Sequence, residues 1–217
     1  MTSLPFKEIF EDNIDCFNEY VMPNKKLSRG IMNSEGFAFC ALADYYNVDM
    51  VIESGICNGG STIIWGKWFE EIPIISLDLK VKFEAAVRTC IFKNVLLRQD
   101  DGIKIIPRML EIFSDCRIAL FIDGPKNKRA IDLATKCIEY ENVKMIGIHD
   151  VFEKYYGQPT KCRLIFNNLA IPNTTKFTTD EDWFIDKYGY LDDQDGITFP
   201  RTDKYSKYAA TVGFILK

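Results

Sequence analysis

The chain has 217 residues, of which 47% are hydrophobic, and its formal net charge is −4 at pH 7. This content suffices for one substantial core, so we expect a single domain over residues 1–217. Acidic residues outnumber basic ones, so the chain has no overall excess of the positive charge that binds nucleic acid, and no nucleic-acid partner is expected. No apolar run approaches the ~20 residues of a membrane-spanning helix, and the first residues do not resemble a signal peptide.

The cysteines and the histidine indicate the redox compartment of the protein and the kind of metal site it could hold. Seven cysteines are scattered along the chain without a CxxC pair, and there is one histidine. An odd number of dispersed cysteines is typical of reduced thiols, most of them buried, in a cytoplasmic protein. A zinc site built on cysteines is not favoured, because clustered ligands are missing.

Two helices are predicted before the first core strand. Apolar residues at helical spacing predict a helix over 6–20, which is broken by residues 22–26. Ser34-Glu35-Gly36 opens a second helix over 37–46. We expect residues 1–47 to form a helical cover over the sheet or part of a lid.

From Met50 the chain alternates strands and helices. The predicted strands are 51–52, 72–78, 95–102, 118–124 and 143–150, and the helices between them are 63–69, 83–91, 103–113 and 127–141. Apolar strands separated by helices predict an α/β fold with a Rossmann-like, doubly wound, mostly parallel sheet covered on both faces. A final antiparallel strand is expected over 208–216.

The pattern is looser after Asp150. A loop at 155–159, a helical piece at 163–169, an acidic and aromatic stretch at 177–190 and a turn at 192–196 are predicted. We expect residues 48–152 to form a cofactor-binding core and residues 153–217 to contribute the substrate or lid region together with the last strands.

A glycine-rich turn follows the first strand. The strand ends at Glu53, and the run 53–62 reads Glu-Ser-Gly-Ile-Cys-Asn-Gly-Gly-Ser-Thr. Glycines allow tight turns and a close approach to a ligand. The following helix start offers free N–H groups and a partial positive charge. This combination predicts a cradle for a nucleotide-like ligand.

Carboxylates end four successive predicted strands. They are Glu53, Asp78, Asp101 and Asp123, and the fifth strand ends in His149-Asp150. Parallel strands place such residues at one edge of the sheet, where ligands bind near the reversal of strand order. Buried like charges repel, so a ligand with cationic or hydrogen-bond-donating groups is expected between them.

Residues 48–152 resemble the core of class I S-adenosylmethionine-dependent methyltransferases. The closest branch is the metal-assisted O-methyltransferases of small molecules and sugars, including catechol and macrolide-sugar enzymes. The run 53–62 is similar to that family's first motif, E-x-G-x-x-x-G-G-S-T. The resemblance implies that Glu53 and Gly55 line the methionine part of the cofactor, that Asp78 holds the ribose, and that Asp101 or Asp100 lies near the adenine amino group. The residues implied in cofactor binding are Glu53, Gly55, Asn58, Gly59, Gly60, Ser61, Thr62, Asp78, Asp100, Asp101 and Asp123.

A dinucleotide-binding protein is the nearest competing interpretation. Its fingerprint is G-x-G-x-x-G, whereas the glycines here are Gly55, Gly59 and Gly60. Glu53 at the strand end would repel a pyrophosphate. The pattern therefore favours a sulfonium nucleoside without phosphate.

The same resemblance implies a metal and a base. Asp123, His149 and Asp150 would bind a divalent metal, with magnesium expected first, and Lys126 would be the base. His149 stands where the family commonly has an acid, and an imidazole makes manganese, iron or zinc plausible as well. His149 has alternative interpretations as a substrate contact, as the base, or as a plain strand-end residue. Lys126 has the alternative of a solvated helix start.

The expected activity is therefore methyl transfer to a hydroxyl of a small molecule or sugar. The alternatives are a cofactor-binding protein without turnover and a dinucleotide or nucleotide-sugar enzyme on the same fold. A homo-oligomer is compatible with the sequence. Aromatic residues offer stacking surfaces for a ring, with core or lid packing as the alternative for each. They are Trp65, Trp68, Tyr155, Tyr156, Trp183, Phe184 and Tyr190.

Overall fold

The computed structural model describes residues 4–22, 31–151, 154–155, 158–159, 161–192 and 211–217. The helices are α1 (Phe6–Cys16), α2 (Asn33–Tyr45), α3 (Gly60–Trp68), α4 (Phe83–Thr89), α5 (Gly102–Ile112), α6 (Lys128–Cys137), α7 (Lys161–Asn168) and α8 (Asp182–Tyr188). The strands are β1 (Met50–Ser54), β2 (Ile74–Asp78), β3 (Val95–Gln99), β4 (Ile118–Ile122), β5 (Val143–Ile148), β6 (Lys154–Tyr155), β7 (Gln158–Pro159), β8 (Thr175–Thr178) and β9 (Gly213–Leu216). A π-helical turn (Phe17–Val21) extends α1, and a 3-10 turn (Gly189–Asp192) follows α8.

Seven strands form one mixed sheet in the order β3-β2-β1-β4-β5-β9-β8. Neighbouring strands from β3 to β5 are parallel, while β9 runs antiparallel to both β5 and β8. Strands β6 and β7 form a separate two-stranded ladder. The predicted fold class is confirmed, including the final antiparallel strand.

Helices cover both faces of this sheet, as its hydrophobic strands require. Every residue of β1 and β4 is buried, because these strands lie in the middle of the sheet. One core cluster joins that sheet to α1, α2 and α3, with Phe10, Phe37 and Phe121 among its members. The other joins it to α5, α6 and α7. Parallel strands in such a sandwich are apolar on both sides.

Some boundaries differ from the sequence prediction. Helix α2 begins at Asn33, because the Glu35 carboxylate accepts a hydrogen bond from the Met32 backbone N–H at 2.7 Å and closes the first turn. Helix α6 ends earlier than predicted, at Cys137. Strand β8 was not predicted, since its short sequence Thr-Lys-Phe-Thr becomes a strand by pairing with β9.

Parts of several predictions lie outside the described residues. These parts are residues 193–196 of the predicted turn, residues 208–210 of the last strand, the helix break at 23–26 and Tyr156. Within the part of the chain that is described, no helix combines the length and apolarity needed to cross a bilayer.

Candidate functional site

The candidate site lies where the strand order reverses between β1 and β4. The ends of these strands are tied together, since the Asp123 and Gly124 N–H groups donate to the Ser54 carbonyl at 2.7 Å and 2.8 Å. Gly55 has φ +100°, and a Cβ atom there would lie 2.5 Å from the Gly124 nitrogen. Only glycine fits this crossing, which keeps the carboxyl ends of the central strands close together.

A cavity of about 440 Å³ opens beside these strand ends. This size suits a small ligand, whose pockets typically measure ~300–1,000 Å³. Four acids line the cavity, and two cationic side chains lie on its wall. The acids are Asp78, Asp100, Asp101 and Asp123, the cations are Lys126 and Arg129, and Gly55 is part of the lining. The structure thus brings five of the predicted cofactor-binding residues to one cavity.

Asp78 organises the glycine turn as well as facing the cavity. Its Oδ2 accepts hydrogen bonds from the backbone N–H groups of Ile56 at 2.9 Å and Cys57 at 3.1 Å, and its Oδ1 accepts one from Lys80 at 3.2 Å. A carboxylate has about four acceptor positions, so Asp78 retains capacity for a ligand hydroxyl.

The two acids after β3 have different local roles. Asp101 caps α5, where its side chain accepts a hydrogen bond from the Ile103 N–H at 3.1 Å. Asp100 forms an ion pair with Arg98, with a nitrogen–oxygen distance of 2.9 Å. Both line the cavity, so the choice between them as the adenine contact stays open.

Glu53 is not among the residues that line the cavity. Its side chain has no exposed surface, and its two oxygens accept hydrogen bonds from Ser61, from Thr62 and Ser76 at 2.6 Å each, and from Trp65 at 3.2 Å. Burial raises the pKa of this carboxyl, although the donors partly oppose that effect. Glu53 therefore fastens α3 to the sheet, and its contact with the methionine part of a cofactor stays a prediction.

Of the glycine-rich run 53–62, Ser54, Gly55 and Cys57 line the cavity. None of its remaining predicted ligands is among the lining residues; these are Asn58, Gly59, Gly60, Ser61 and Thr62. Ser61 and Thr62 point inward to Glu53, which explains why both are buried. Gly59 has φ +81° and caps the start of α3. The predicted contacts of these five residues with a cofactor stay predictions.

The predicted metal ligands converge around Asp123, which is the one of the three that lines the cavity. His149 Nδ1 lies 2.7 Å from Asp123 Oδ1 and 3.3 Å from Asp150 Oδ1. One ligand atom from each of the three residues falls within 4.8 Å of the others. Two carboxylates and an imidazole form a donor set that suits a divalent cation such as Mg²⁺, Mn²⁺, Fe²⁺ or Zn²⁺.

Lys126 is held by two of these carboxylates. Its Nζ contacts Asp123 and lies 2.6 Å from Asp150 Oδ2. Burial by itself lowers the pKa of Lys126, but the two carboxylates outweigh it, so the pKa is raised. Burial likewise raises the pKa of Asp123, but His149 and Lys126 together bring it down to about 2. The lowered lysine pKa that a base requires is therefore not present while Lys126 pairs with both acids.

Glu35 is a site residue that the sequence did not reveal. It lies on α2 with 1% of its surface exposed, and its Oε2 is 3.3 Å from His149 Nε2. Burial by itself lowers the pKa of His149, but the charge of Glu35 and the contact with Asp123 raise it well above the ordinary value. The local pattern Ser34-Glu35-Gly36 indicated only a helix start, because its partner is far away in sequence.

The predicted aromatic surface is mostly packing. Trp65 and Phe184 are fully buried, and Trp68 donates a hydrogen bond to Asp44 at 3.0 Å. Trp183 belongs to the partly buried rim of the same core, and Tyr190 accepts a hydrogen bond from Asn18 at 2.9 Å. None of these residues is part of the cavity lining. Tyr156 and the side chain of Tyr155 lie outside the described residues.

Comparison with known proteins gives a structural likeness. No protein-family profile and no curated protein matches the sequence. An O-methyltransferase from Bacillus cereus in complex with SAH is 12% identical, with a TM-score of 0.56, and the match covers 100% of this chain and 94% of that one. The O-methyltransferase TomG from Streptomyces achromogenes, in complex with SAM, is 13% identical, with a TM-score of 0.52 and coverage of 97% and 90%.

An rRNA methylase from Streptococcus thermophilus is similar to the same degree. It is 12% identical with a TM-score of 0.52, and the match covers 89% of this chain and 99% of that one. At such identities the likeness concerns the fold. The chain has the fold of the class I S-adenosylmethionine-dependent methyltransferases, as the resemblance implied.

Proposed function

We propose that this protein transfers a methyl group from S-adenosylmethionine to a hydroxyl of a small molecule or sugar, with a divalent cation at Asp123, His149 and Asp150. The observation that carries the proposal is one cavity at the strand-order reversal. Acids suited to a nucleoside line it, and one of them, Asp123, also belongs to the cluster with His149 and Asp150 that could hold a metal ion. The fold shared with methyltransferases in complex with SAM or SAH supports the same reading.

The cavity fits the cofactor through its acceptors. Asp78 would hold the ribose hydroxyls, Asp100 or Asp101 the adenine amino group, and Gly55 would admit the methionine part. When bound, S-adenosylmethionine supplies an electrophilic methyl group. Acidic walls favour a ligand that is rich in donors and positively charged, and they disfavour a pyrophosphate. A dinucleotide cofactor is thereby the weaker alternative.

The acceptor hydroxyl must lose a proton before it becomes a good nucleophile. A divalent cation held by the three side chains lowers the pKa of such a hydroxyl. Lys126 Nζ would accept the proton, with His149 as the alternative base. Because Asp123 and Asp150 raise the pKa of Lys126, Nζ must separate from them before it can act. If Asp123 and Asp150 held a cation, their charges would no longer raise the pKa of Lys126 to the same extent.

Calorimetry separates the proposed function from its alternatives. S-adenosylmethionine and NAD are titrated separately into the protein, with and without EDTA. We expect binding of S-adenosylmethionine and none of NAD. The absence of S-adenosylmethionine binding would refute both the methyltransferase and the cofactor-binding protein without turnover. Binding without methyl transfer to any member of a broad panel of phenols, catechols and sugars, with metals added, would favour the protein without turnover.

Asp123→Asn tests the metal separately from the cofactor. The amide keeps the side-chain shape but removes the charge that a cation needs. We expect S-adenosylmethionine binding to persist and metal-dependent turnover to disappear. Full activity of Asp123→Asn in the presence of EDTA would show that the metal mechanism is wrong.

Further proposals concern the residues that contact the acceptor, the cellular compartment and the class of acceptor. The acceptor would be contacted by residues of the 1–47 and 153–217 regions, since Glu35 of α2 already reaches His149. All seven cysteines are free thiols, which suits the reducing cytoplasm. With a net charge of −4, a small acceptor is favoured over a nucleic acid.

A further inference from the structure

His149 lies between two groups of acids, and its two ring nitrogens face different ones. Nδ1 faces Asp123 Oδ1 at 2.7 Å and Asp150 Oδ1 at 3.3 Å. Nε2 faces Glu35 Oε2 at 3.3 Å. The imidazole thus connects the cation site to a carboxylate on the N-terminal helical cover, 114 positions away in the sequence.

The contacts at Nδ1 are close without being aligned hydrogen bonds. Among the described residues, neither nitrogen of His149 has a partner with hydrogen-bond geometry. At 2.7 Å, the Asp123 oxygen lies beside Nδ1 and away from the line of an N–H bond. Nδ1 thus has no aligned hydrogen-bond partner among the described residues, while the carboxylates of Asp123 and Asp150 both lie within 3.3 Å of it.

Glu35 is placed to favour the opposite nitrogen for the proton. Its carboxylate is buried, and Oε1 has no hydrogen-bond partner within the described part of the chain. Oε2 also accepts the Met32 backbone N–H at 2.7 Å, which anchors the side chain to the start of α2. A weakly screened negative charge beside Nε2 stabilises a proton on that nitrogen.

We infer that Glu35 is a positioning residue, which keeps the proton of His149 on Nε2 so that Nδ1 presents its lone pair to a divalent cation shared with Asp123 and Asp150. The inference rests on the metal site of the proposed function and adds the residue that orients its one nitrogen ligand. Metal-bound histidines commonly donate their second N–H to an oxygen acceptor, and loss of that acceptor lowers metal affinity by roughly 10–100-fold.

The test uses Glu35→Leu, which removes both the oxygens and the charge beside Nε2, and Glu35→Gln, which keeps an amide oxygen there but removes the charge. Asp44→Asn on the same helix is the matched control, because Asp44 contacts Trp68 and not His149. Mn²⁺ affinity is measured by electron paramagnetic resonance of the free ion. Nitrogen-15 NMR of labelled histidine locates the ring proton with Mg²⁺ present, and the chain's single histidine makes the assignment direct.

We expect Glu35→Leu to weaken Mn²⁺ binding by roughly 10–100-fold. Glu35→Gln should weaken Mn²⁺ binding less than Glu35→Leu, because it keeps an oxygen beside Nε2, and Asp44→Asn should match the wild type. In the Mg²⁺-bound wild type, the proton is expected on Nε2, and Nδ1 should carry none. Wild-type Mn²⁺ affinity in Glu35→Leu, or a proton on Nδ1 in the Mg²⁺-bound wild type, would overturn the inference.

Two further readouts keep the result interpretable. S-adenosylmethionine calorimetry on each variant shows whether the cofactor cavity is intact. If Glu35→Leu does not fold, the NMR result on the wild type and on Glu35→Gln decides the question. A wild type that binds S-adenosylmethionine but no Mn²⁺ overturns the inference and leaves the methyltransferase proposal standing.

Discussion

Replacing Gly55 with alanine tests the geometry on which the candidate site depends. Gly55 has φ +100°, in the region that only glycine adopts freely. A residue that carries a Cβ atom costs ~1–2 kcal/mol in a left-handed backbone conformation. The added Cβ would also lie 2.5 Å from the Gly124 nitrogen and 2.9 Å from the Asp123 carbonyl carbon, both backbone atoms. Overpacking of this kind costs ~1–3 kcal/mol. The stiffer unfolded chain offsets ~0.4–1 kcal/mol of this, so we expect a net loss of about 1–5 kcal/mol in the free energy of unfolding.

Substitutions at two other glycines separate the cost of backbone strain from the cost of overpacking. Gly59 has φ +81°, but a Cβ there meets only ordinary contacts at 3.4 Å and beyond. Gly59→Ala therefore introduces backbone strain without overpacking, and we expect the free energy of unfolding to fall by ~1 kcal/mol. A Cβ on Gly124 has its nearest contact at 3.5 Å. We expect Gly124→Ala to change the free energy of unfolding by less than ~1 kcal/mol. Urea unfolding of the three variants measures these differences.

The cofactor cavity provides a second readout for the same series. Because Gly55 lines the cavity and Gly59 does not, S-adenosylmethionine affinity should fall in Gly55→Ala and stay near the wild-type value in Gly59→Ala. The reasoning would be refuted if Gly55→Ala were no more destabilised than Gly59→Ala. Such a result would mean that the β1 and β4 loops do not approach as closely as described.

Three more predictions concern charged side chains. Asp78→Ala should weaken S-adenosylmethionine binding in calorimetry, and it leaves two backbone N–H groups of the glycine turn without their acceptor. That loss should lower the free energy of unfolding by about 1 kcal/mol or more. Lys126→Gln should raise Mn²⁺ affinity by about tenfold or more, because a charged competitor leaves Asp123 and Asp150. Asp49 pairs with Arg117 at an exposed position where solvent screens the interaction. Asp49→Asn should therefore cost ~0.2–1 kcal/mol at neutral pH.

The pH dependence of the last variant has a definite sign. The contact with Arg117 lowers the pKa of Asp49 to about 2. The unfolded value is higher, at ~3.9. A lowered acid pKa contributes stability that is present above the unfolded pKa and is lost as the pH falls through the folded pKa. The difference between the wild type and Asp49→Asn in urea unfolding should therefore shrink between about pH 4 and pH 2. A stability difference between the two proteins that grew as the pH fell would contradict a lowered pKa of Asp49.

Controls exist for the other two predictions. Lys128→Gln removes an exposed ammonium that pairs with Asp132 away from the cation site, and it should leave Mn²⁺ affinity unchanged. If Lys126→Gln bound Mn²⁺ no better than Lys128→Gln, Lys126 would not compete with the cation. Unaltered S-adenosylmethionine affinity in Asp78→Ala would remove Asp78 from the ribose site.

The sequence by itself determined the fold class and the edge of the sheet that carries the site. Alternating apolar strands and helices specify a parallel sheet, and the acids after successive strands must then meet at its carboxyl edge. For that reason Asp78, Asp101 and Asp123 could be placed at one cavity, and Asp123, His149 and Asp150 at one cluster, from local patterns alone.

Only the tertiary structure decided what each side chain faces. Glu53 stands at a strand end like the other acids, but the hydroxyls of Ser61, Thr62 and Ser76 surround it and turn it into a structural residue. Glu35 shows the reverse, because a helix-start residue reaches His149 across 114 positions. Periodicity fixes the face on which a residue lies, whereas contacts between distant segments depend on how the helical cover packs on the sheet. Those contacts gave Glu53 a structural role and brought Glu35 into the site.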